Sequence, residues 1–339
     1  MIQNQDLPYF NLITGNEGKF RLSEDIIIEF EKAILKDKNV QPAKKCSYFS
    51  SRLFFRLWKF VLTKAKLLRL FLALYQLFQS QRKNYLAVLM GPRFPKCFPH
   101  FYSKGQKAVY MFDAWPQYYS NIIKFINDFQ VDFLFVSSKQ SAESINKIIG
   151  KNNVFWVPEG VDCDEYKFYP SHEKNIDILS FGRNYQLFHE NITDTLLSQK
   201  INYKFPVEGK MVFSDRNSFI EGLARTKISV CFPTSITHSE RAGNIETMTN
   251  RYLQSMASKC LVLGKAPEEM ILLFGYNPVV EVDMQNPAKQ VIEILTNFEK
   301  YTDLIEKNYG MVVGNHTWRN RWESISTIIS NKKNEENEK

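Results

Sequence analysis

The chain has 339 residues, 44% hydrophobic and 14% aromatic, enough apolar material to core two domains of ordinary size. Charged residues make up 24%, an ordinary share that argues against disorder through most of the length. The formal charge of +8 favours an anionic partner, such as a nucleoside diphosphate or a lipid headgroup layer, while the lack of a zinc-finger or RNP-type pattern gives nucleic acid no support.

The N-terminus, MIQNQDLPYF, lacks the basic and then apolar regions of a secretory signal. Cys46, Cys97, Cys163, Cys231 and Cys260 are scattered, without a Cys-x-x-Cys pair, which argues against zinc and against a disulfide framework. The expectation is a reducing cytoplasm. The run YFNLI predicts a first strand within 6–15, and 23–35 predicts a helix capped by Ser23. Residues 36–47 read as a polar linker with Pro42. In 49–82, apolar residues interleave with Arg52, Arg56, Lys59, Lys64, Lys66 and Arg69. Its longest charge-free stretch, 70–81, is too short for a bilayer, which needs about 20 residues. Two readings stay open: one or two core helices with snorkelling basic side chains, or a basic amphipathic surface for anionic lipid at the inner membrane face.

Beyond it, strands are expected at 85–90, 108–112, 133–137 and 154–157, with helices at 116–129 and 139–149. This alternation argues for a parallel Rossmann-like sheet. A linker at 160–170 leads to strands at 176–181, 204–207, 228–232, 261–263 and 279–282. Helices are expected at 219–225, 245–257, 288–296, 302–309 and 318–329, before a solvated charged tail, NKKNEENEK.

Residues 234–264 are the most informative stretch. An apolar strand at 228–233 is followed by a Gly-containing loop, the helix-period segment 245–257 and a second apolar run at 260–263. Strand, loop, helix, strand is the unit of a doubly wound sheet, whose ligands sit at the carboxyl ends of the strands. Glu246 opens the predicted helix and Gln254 follows eight positions later. Just over two turns separate them, so the two side chains would share a face about 12 Å apart. That suits a ligand with two polar ends, such as a sugar and a ribose joined by a diphosphate.

This segment resembles the donor-binding motif of retaining GT-B glycosyltransferases: Glu, seven residues, Glu, then a small-residue step and a strand. Here it reads Glu246, TMTNRYL, Gln254, SMASKCLVLG. IDILSFGR (176–183) resembles the first strand of that group's second domain with its phosphate-contacting Arg. VPEGVDCDEY (157–166) resembles the interdomain segment, and NHTWRNRWESI (315–325) the final helix that crosses back. The resemblance covers roughly 107–330. It departs from the pattern at Gln254, which replaces the second carboxylate. The usual Gly after the first Glu is also absent, since Gly243 precedes Glu246 and leaves Glu240 as a rival for the first-carboxylate role.

The resemblance implies an α/β fold of two Rossmann-like domains with parallel sheets facing across a cleft. An acceptor-side domain would occupy 1–160 and a nucleotide-sugar domain 161–313. A crossing helix would span 314–330 and a disordered tail 331–339. It implies transfer of a sugar from a nucleotide sugar to a glycan or lipid-linked hydroxyl, with retention. With no Asp-x-Asp pair, no metal or other cofactor is expected. The alternatives are a non-catalytic homologue acting as a binding or regulatory subunit, and an inverting enzyme with Asp113 as base.

Gly182 and Arg183 would meet the diphosphate at the end of a strand, where an Arg can grip phosphate oxygens bidentately. The Lys that the group uses a few residues on is missing, and Arg241 or Arg251 could supply its charge or form structural salt bridges. Gly243, Asn244 and Ile245 would offer free N–H groups at the helix entrance. Thr234 and Ser235 would touch the nucleotide. Glu246 would hold donor-sugar hydroxyls or simply suit the helix dipole. Asp113 would orient the acceptor or cap the next helix. Trp115, Tyr118 and Tyr119 would stack on a sugar or fill core. His316 and Trp318 are expected to dock the last helix, and His238 lies in the donor loop.

Overall fold

The computed structural model describes residues 7–14, 25–64, 68–77, 82–207 and 210–337. The chain divides into two compact units, Met1–Pro158 with Arg321–Lys339, and Glu159–Asn320. The expected Ser23 cap lies outside the described residues, as do parts of the expected 6–15 and 49–82 segments.

The first unit contains β1 (Phe10–Ile13), α1 (Asp25–Ile34), β2 (Val40–Pro42), α2 (Tyr48–Lys64), α3 (Leu68–Leu77), β3 (Asn84–Met90), β4 (Lys107–Phe112), α4 (Tyr119–Phe129), β5 (Phe133–Val136), α5 (Lys139–Ile149) and β6 (Val154–Trp156). Its six strands lie in the order β2-β1-β3-β4-β5-β6, with every neighbouring pair parallel. All six residues of β4 are buried, as the apolar run that follows Lys107 requires of a strand covered on both faces. The polar linker expected at 36–47 contains the short edge strand β2. Val40 is buried and Ala43 N–H donates to the Leu12 carbonyl at 2.7 Å, so three residues suffice to extend the sheet. Pro42, which has no N–H to give a further strand, fits an edge position.

Within 49–82 the described residues form two helices, α2 and α3. On α2, Trp58 stacks on Phe98 (centroids 5.7 Å, 24°) and donates its indole N–H to Asp128 at 3.3 Å. Tyr102 donates its hydroxyl to the Phe54 carbonyl at 2.9 Å. One face of α2 is therefore core. Among the described residues no helix is long and apolar enough to cross a membrane.

The second unit contains β7 (Ile176–Ser180), α6 (Gln186–Ser198), β8 (Tyr203–Lys204), α7 (Arg216–Ala224), β9 (Thr226–Cys231), the single turns α8 (Thr234–Thr237) and α9 (Ser239–Ala242), α10 (Asn250–Ala257), β10 (Leu261–Gly264), α11 (Glu268–Phe274), β11 (Val280–Glu281), α12 (Pro287–Thr296) and α13 (Thr302–Asn315). Its strand order is β11-β10-β9-β7-β8, again parallel throughout. Sequence periodicity missed α6 and α11. In α6 only Phe188, Ile192 and Leu196 are buried, a stripe of one residue per turn too narrow to stand out.

The closing helix, α14 (Trp318–Asn337), runs through residues expected to be a disordered tail, and from Arg321 onward it belongs to the first unit. Trp322 donates its indole N–H to Asp37 at 2.9 Å, and Lys332 lies over Phe133 and Phe155. These contacts give the helix a docked face that its charged sequence hides.

Candidate functional site

Strand β7 ends at Ser180 and is followed by Phe181, Gly182 and Arg183. Gly182 has φ +72°, and a Cβ there would approach Arg251 Cδ to 3.2 Å, so both conformation and space favour glycine. Strand β9 ends at Cys231 and passes through Phe232 and Pro233 into α8. The guanidinium of Arg251, 8% exposed on α10, joins these two strand ends. Nη1 donates to the carbonyls of Phe181 (3.3 Å) and Arg183 (3.0 Å), and Nη2 to that of Phe232 (3.0 Å). Arg251 thus clamps backbone carbonyls rather than pairing with a carboxylate. Its Nε is buried without a partner.

Three more polar atoms beside it are in the same condition: Thr234 Oγ1, Ser235 Oγ and His238 Nδ1 are buried with no hydrogen-bond partner. Buried donors and acceptors are normally satisfied, so four together at one strand edge make this the candidate ligand site. The local charge is positive. Burial, and after it Arg183, push the His238 imidazole below its ordinary pKa; Arg241 and Arg251 push the same way and Glu240 opposes them. A neutral imidazole ringed by arginines, with free hydroxyls alongside, is suited to an anion.

Glu246 is not on a helix. The helix expected from 245 begins at Asn250, because the preceding backbone is held by two buried carboxylates. Glu269 accepts from Met248 N–H (2.7 Å) and from the Thr247 hydroxyl (2.8 Å). Glu159 accepts from Asn250 N–H (2.6 Å), capping the first turn. The shared helix face inferred for Glu246 and Gln254 does not exist. Glu246 instead sits in the loop, its carboxylate 3.1 Å from Lys265 Nζ. The Tyr252 hydroxyl, raised well above its ordinary pKa by burial first and Cys231 next, is lowered by Arg251 and Arg183 and raised by Glu246. The rival Glu240 lies out in solvent, its side chain 66% exposed against 21% for Glu246.

Gln254 is buried at 8% exposure and donates Nε2–H to the Tyr166 hydroxyl at 2.8 Å. The N–H groups expected to be free at the helix entrance are partly engaged: Gly243 N–H donates to Ser239 (2.8 Å) and Ile245 N–H to Ala242 (3.1 Å). Gly243 has φ +58°, and Asn244 is exposed. His316 stacks on Phe274 (4.6 Å, 10°) and Trp318 is buried, both within the packing of the second unit.

In the first unit Asp113 follows β4 in the left-handed region, φ +51°, a conformation uncommon outside glycine. It is not a helix cap: the turn after it is capped by Trp115 and α4 by Tyr118, neither with a side-chain bond. Trp115 is buried, and Tyr118 and Tyr119 pack partly against the core. Glu159 and Glu269 went unrecognised in the sequence. Glu159 lies within the quoted VPEG segment, but nothing in the chain signals that it caps a helix 91 residues away.

No family model matches the chain, and no curated protein matches it in sequence. Solved structures do. HepE from Anabaena, in complex with UDP and glucose, is similar over 96% of this chain and 100% of its own, with a TM-score of 0.59 and 11% identity. A glycosyltransferase from Rickettsia africae is similar over 96% and 98%, with a TM-score of 0.55 and 10% identity. TarM is similar over 72% of this chain at a TM-score of 0.53 and 14% identity, and the chain spans about half of its length (54%). At such identities the likeness is one of fold. Two units, each with a parallel sheet of Rossmann-like type, give this chain the GT-B fold of those glycosyltransferases.

Proposed function

We propose that this chain transfers a sugar from a nucleotide-sugar donor to the hydroxyl of a glycan or lipid-linked acceptor, and that the second unit binds the donor. The observation that carries this reading is the edge at Arg251, where a buried guanidinium with a spare donor adjoins the unpartnered Thr234, Ser235 and His238. HepE, which has the same fold, has been solved with UDP and with UDP-glucose.

In this reading Arg183 and Arg251 stabilise the leaving diphosphate as its charge develops, in a setting already oriented before reaction. Because fixed cations serve that purpose, the reaction runs without a metal. Gly182 lets the backbone approach the phosphates, and Thr234 and Ser235 donate to them. Glu246 holds sugar hydroxyls, and Gln254 meets the ribose. Asp113 orients the acceptor. Departure of the diphosphate on the face that the acceptor enters gives retention.

The test is thermal denaturation with UDP and a panel of nucleotide sugars, followed by a transfer assay with and without EDTA. Ligand binding to the folded state should raise the midpoint, and turnover should survive the chelator. No midpoint shift with any nucleotide would overturn donor binding. Shifts without turnover on any acceptor would favour the non-catalytic alternative. Loss of turnover in EDTA, restored by manganese, would overturn the metal-free clamp.

A further inference from the structure

Between Asp37 and Asp113 the chain has no acidic residue and fifteen lysines and arginines. The whole chain carries only +8, so the remainder is net acidic and the positive charge is concentrated in this segment. Both α2 and α3 lie within it.

The two sides of α2 differ in an unusual way. Ser51, Phe54, Phe55 and Trp58 face the unit and are buried or half-buried, tied by the Trp58 and Phe54 bonds described above. A helix anchored this way ordinarily turns a polar face outward. Here Phe49, Leu53, Leu57 and Phe60 are 77%, 56%, 37% and 60% exposed. Steps of four, four and three residues place them in one stripe along the helix. Arg52, Arg56 and Lys59, each one position before a member of the stripe, are exposed beside it. The Lys59 ammonium lies 5.2 Å from the Phe55 ring centroid, so its stem runs along the helix.

A contiguous exposed stripe of large apolar residues marks an interaction surface, and the rim of basic side chains states the charge of what it meets. We propose that the outer face of α2 docks on an anionic phospholipid bilayer. Phe49, Leu53, Leu57 and Phe60 enter the boundary between headgroups and acyl chains, while Arg52, Arg56 and Lys59 meet the lipid phosphates. A nucleic acid would use the charges and leave the stripe without a role. A second copy of the chain would bring like-charged rims together around a two-fold axis, which opposes association.

The test uses the full chain without donor, so its outcome is independent of sugar transfer. Co-sedimentation with phosphatidylcholine vesicles should leave the protein in the supernatant, and vesicles containing phosphatidylglycerol should pull it down at low salt. The combination Arg52→Glu, Arg56→Glu and Lys59→Glu should weaken binding by roughly a hundredfold or more, as should high salt in the wild type. The combination Phe49→Ser, Leu53→Ser and Phe60→Ser should weaken it by at least tenfold. The substituted side chains point to solvent, so the thermal midpoint should stay within a few degrees; if a variant fails to fold, the wild-type salt series and the contrast between the two lipids still decide. A wild type that stays in the supernatant with phosphatidylglycerol at low salt overturns the proposal. So does equal binding by the serine variant, which would indicate a simple polyanion site. Self-association of the wild type that the serine variant loses, with vesicle binding unchanged, would assign the stripe to a second copy instead.

Discussion

Two cations are buried at opposite ends of the second sheet, and the difference between them separates scaffold from site. Lys174, 5% exposed, donates to the carbonyls of Thr226 (2.8 Å), Ser258 (3.0 Å) and Lys259 (2.8 Å). Its three N–H groups match three acceptors, and it joins the start of β9 to the turn that leads into β10. Arg251 does the same kind of work at the carboxyl ends of β7 and β9, but has more donors than acceptors and retains Nε unpartnered. One cluster is closed; the other keeps a donor to spare. Ligands of doubly wound sheets bind at the carboxyl edge, and the open cluster is the one at that edge.

The largest expected effect probes this contrast directly. Lys174→Met and Arg251→Met should each destabilise the protein by about 3 kcal/mol, since each leaves several buried carbonyls without donors. Only Arg251→Met should also abolish UDP binding, measured by calorimetry below its melting range. Equal loss of UDP binding in both variants would break the comparison, because the lysine end would then matter to the site as much as the arginine end.

Next in size are two changes at the open edge that leave the clamp intact. Arg183→Ala and Glu246→Ala should each lower turnover by roughly a hundredfold, the scale of removing one group that acts on the transition state. Thermal midpoints should move little, as neither side chain belongs to the core. Wild-type turnover in both would remove them from the site.

The alternation of apolar runs and helical stripes revealed the parallel sheets, since strands such as β5 and β10 are short buried apolar runs. It did not reveal where α10 begins. Residues 245–249 carry helical periodicity, but Glu269 binds the Met248 N–H and Glu159 the Asn250 N–H, and the positions of both carboxylates depend on tertiary structure. The spacing of Glu246 and Gln254 was therefore legible as a motif and misleading as geometry. Arg183 follows β7, and Thr234 and Ser235 follow β9, as their place after apolar runs in the sequence indicates. The role of Arg251 was not, because a backbone clamp leaves no pattern in the sequence.

Gln254 tests where scaffold ends and site begins. Its amide donates to Tyr166, and a carboxylate there would require Tyr166 to donate instead. Gln254→Glu should still fold, at a cost of about 1 kcal/mol for the buried charge after the hydrogen bond reverses. If the residue faces the ribose, the dissociation constant for UDP-glucose should change severalfold. An unchanged constant for every accepted donor would place Gln254 with Lys174, in the scaffold.

The smallest expected effect is a pH dependence carried by His238. In the free protein, burial and Arg183 hold its imidazole below the ordinary value, with Arg241 and Arg251 adding to the effect. The unfolded chain therefore takes up this proton before the folded chain does as pH falls, and stability declines below about pH 6.5. A diphosphate beside the ring would raise the folded pKa, so binding would be coupled to proton uptake. UDP-glucose is the right probe, since its diphosphate has no terminal phosphate group to titrate near neutrality. Its affinity should tighten by about two- to fivefold between pH 7.5 and 6, on the scale of a fraction of a pKa unit per site. His238→Gln keeps a polar side chain without the titration and should flatten the profile. A wild-type affinity that weakens in acid, or a slope that persists in His238→Gln, would mean that the anion binds away from this imidazole, and the cluster of unpartnered groups at the arginine edge would then need a different ligand.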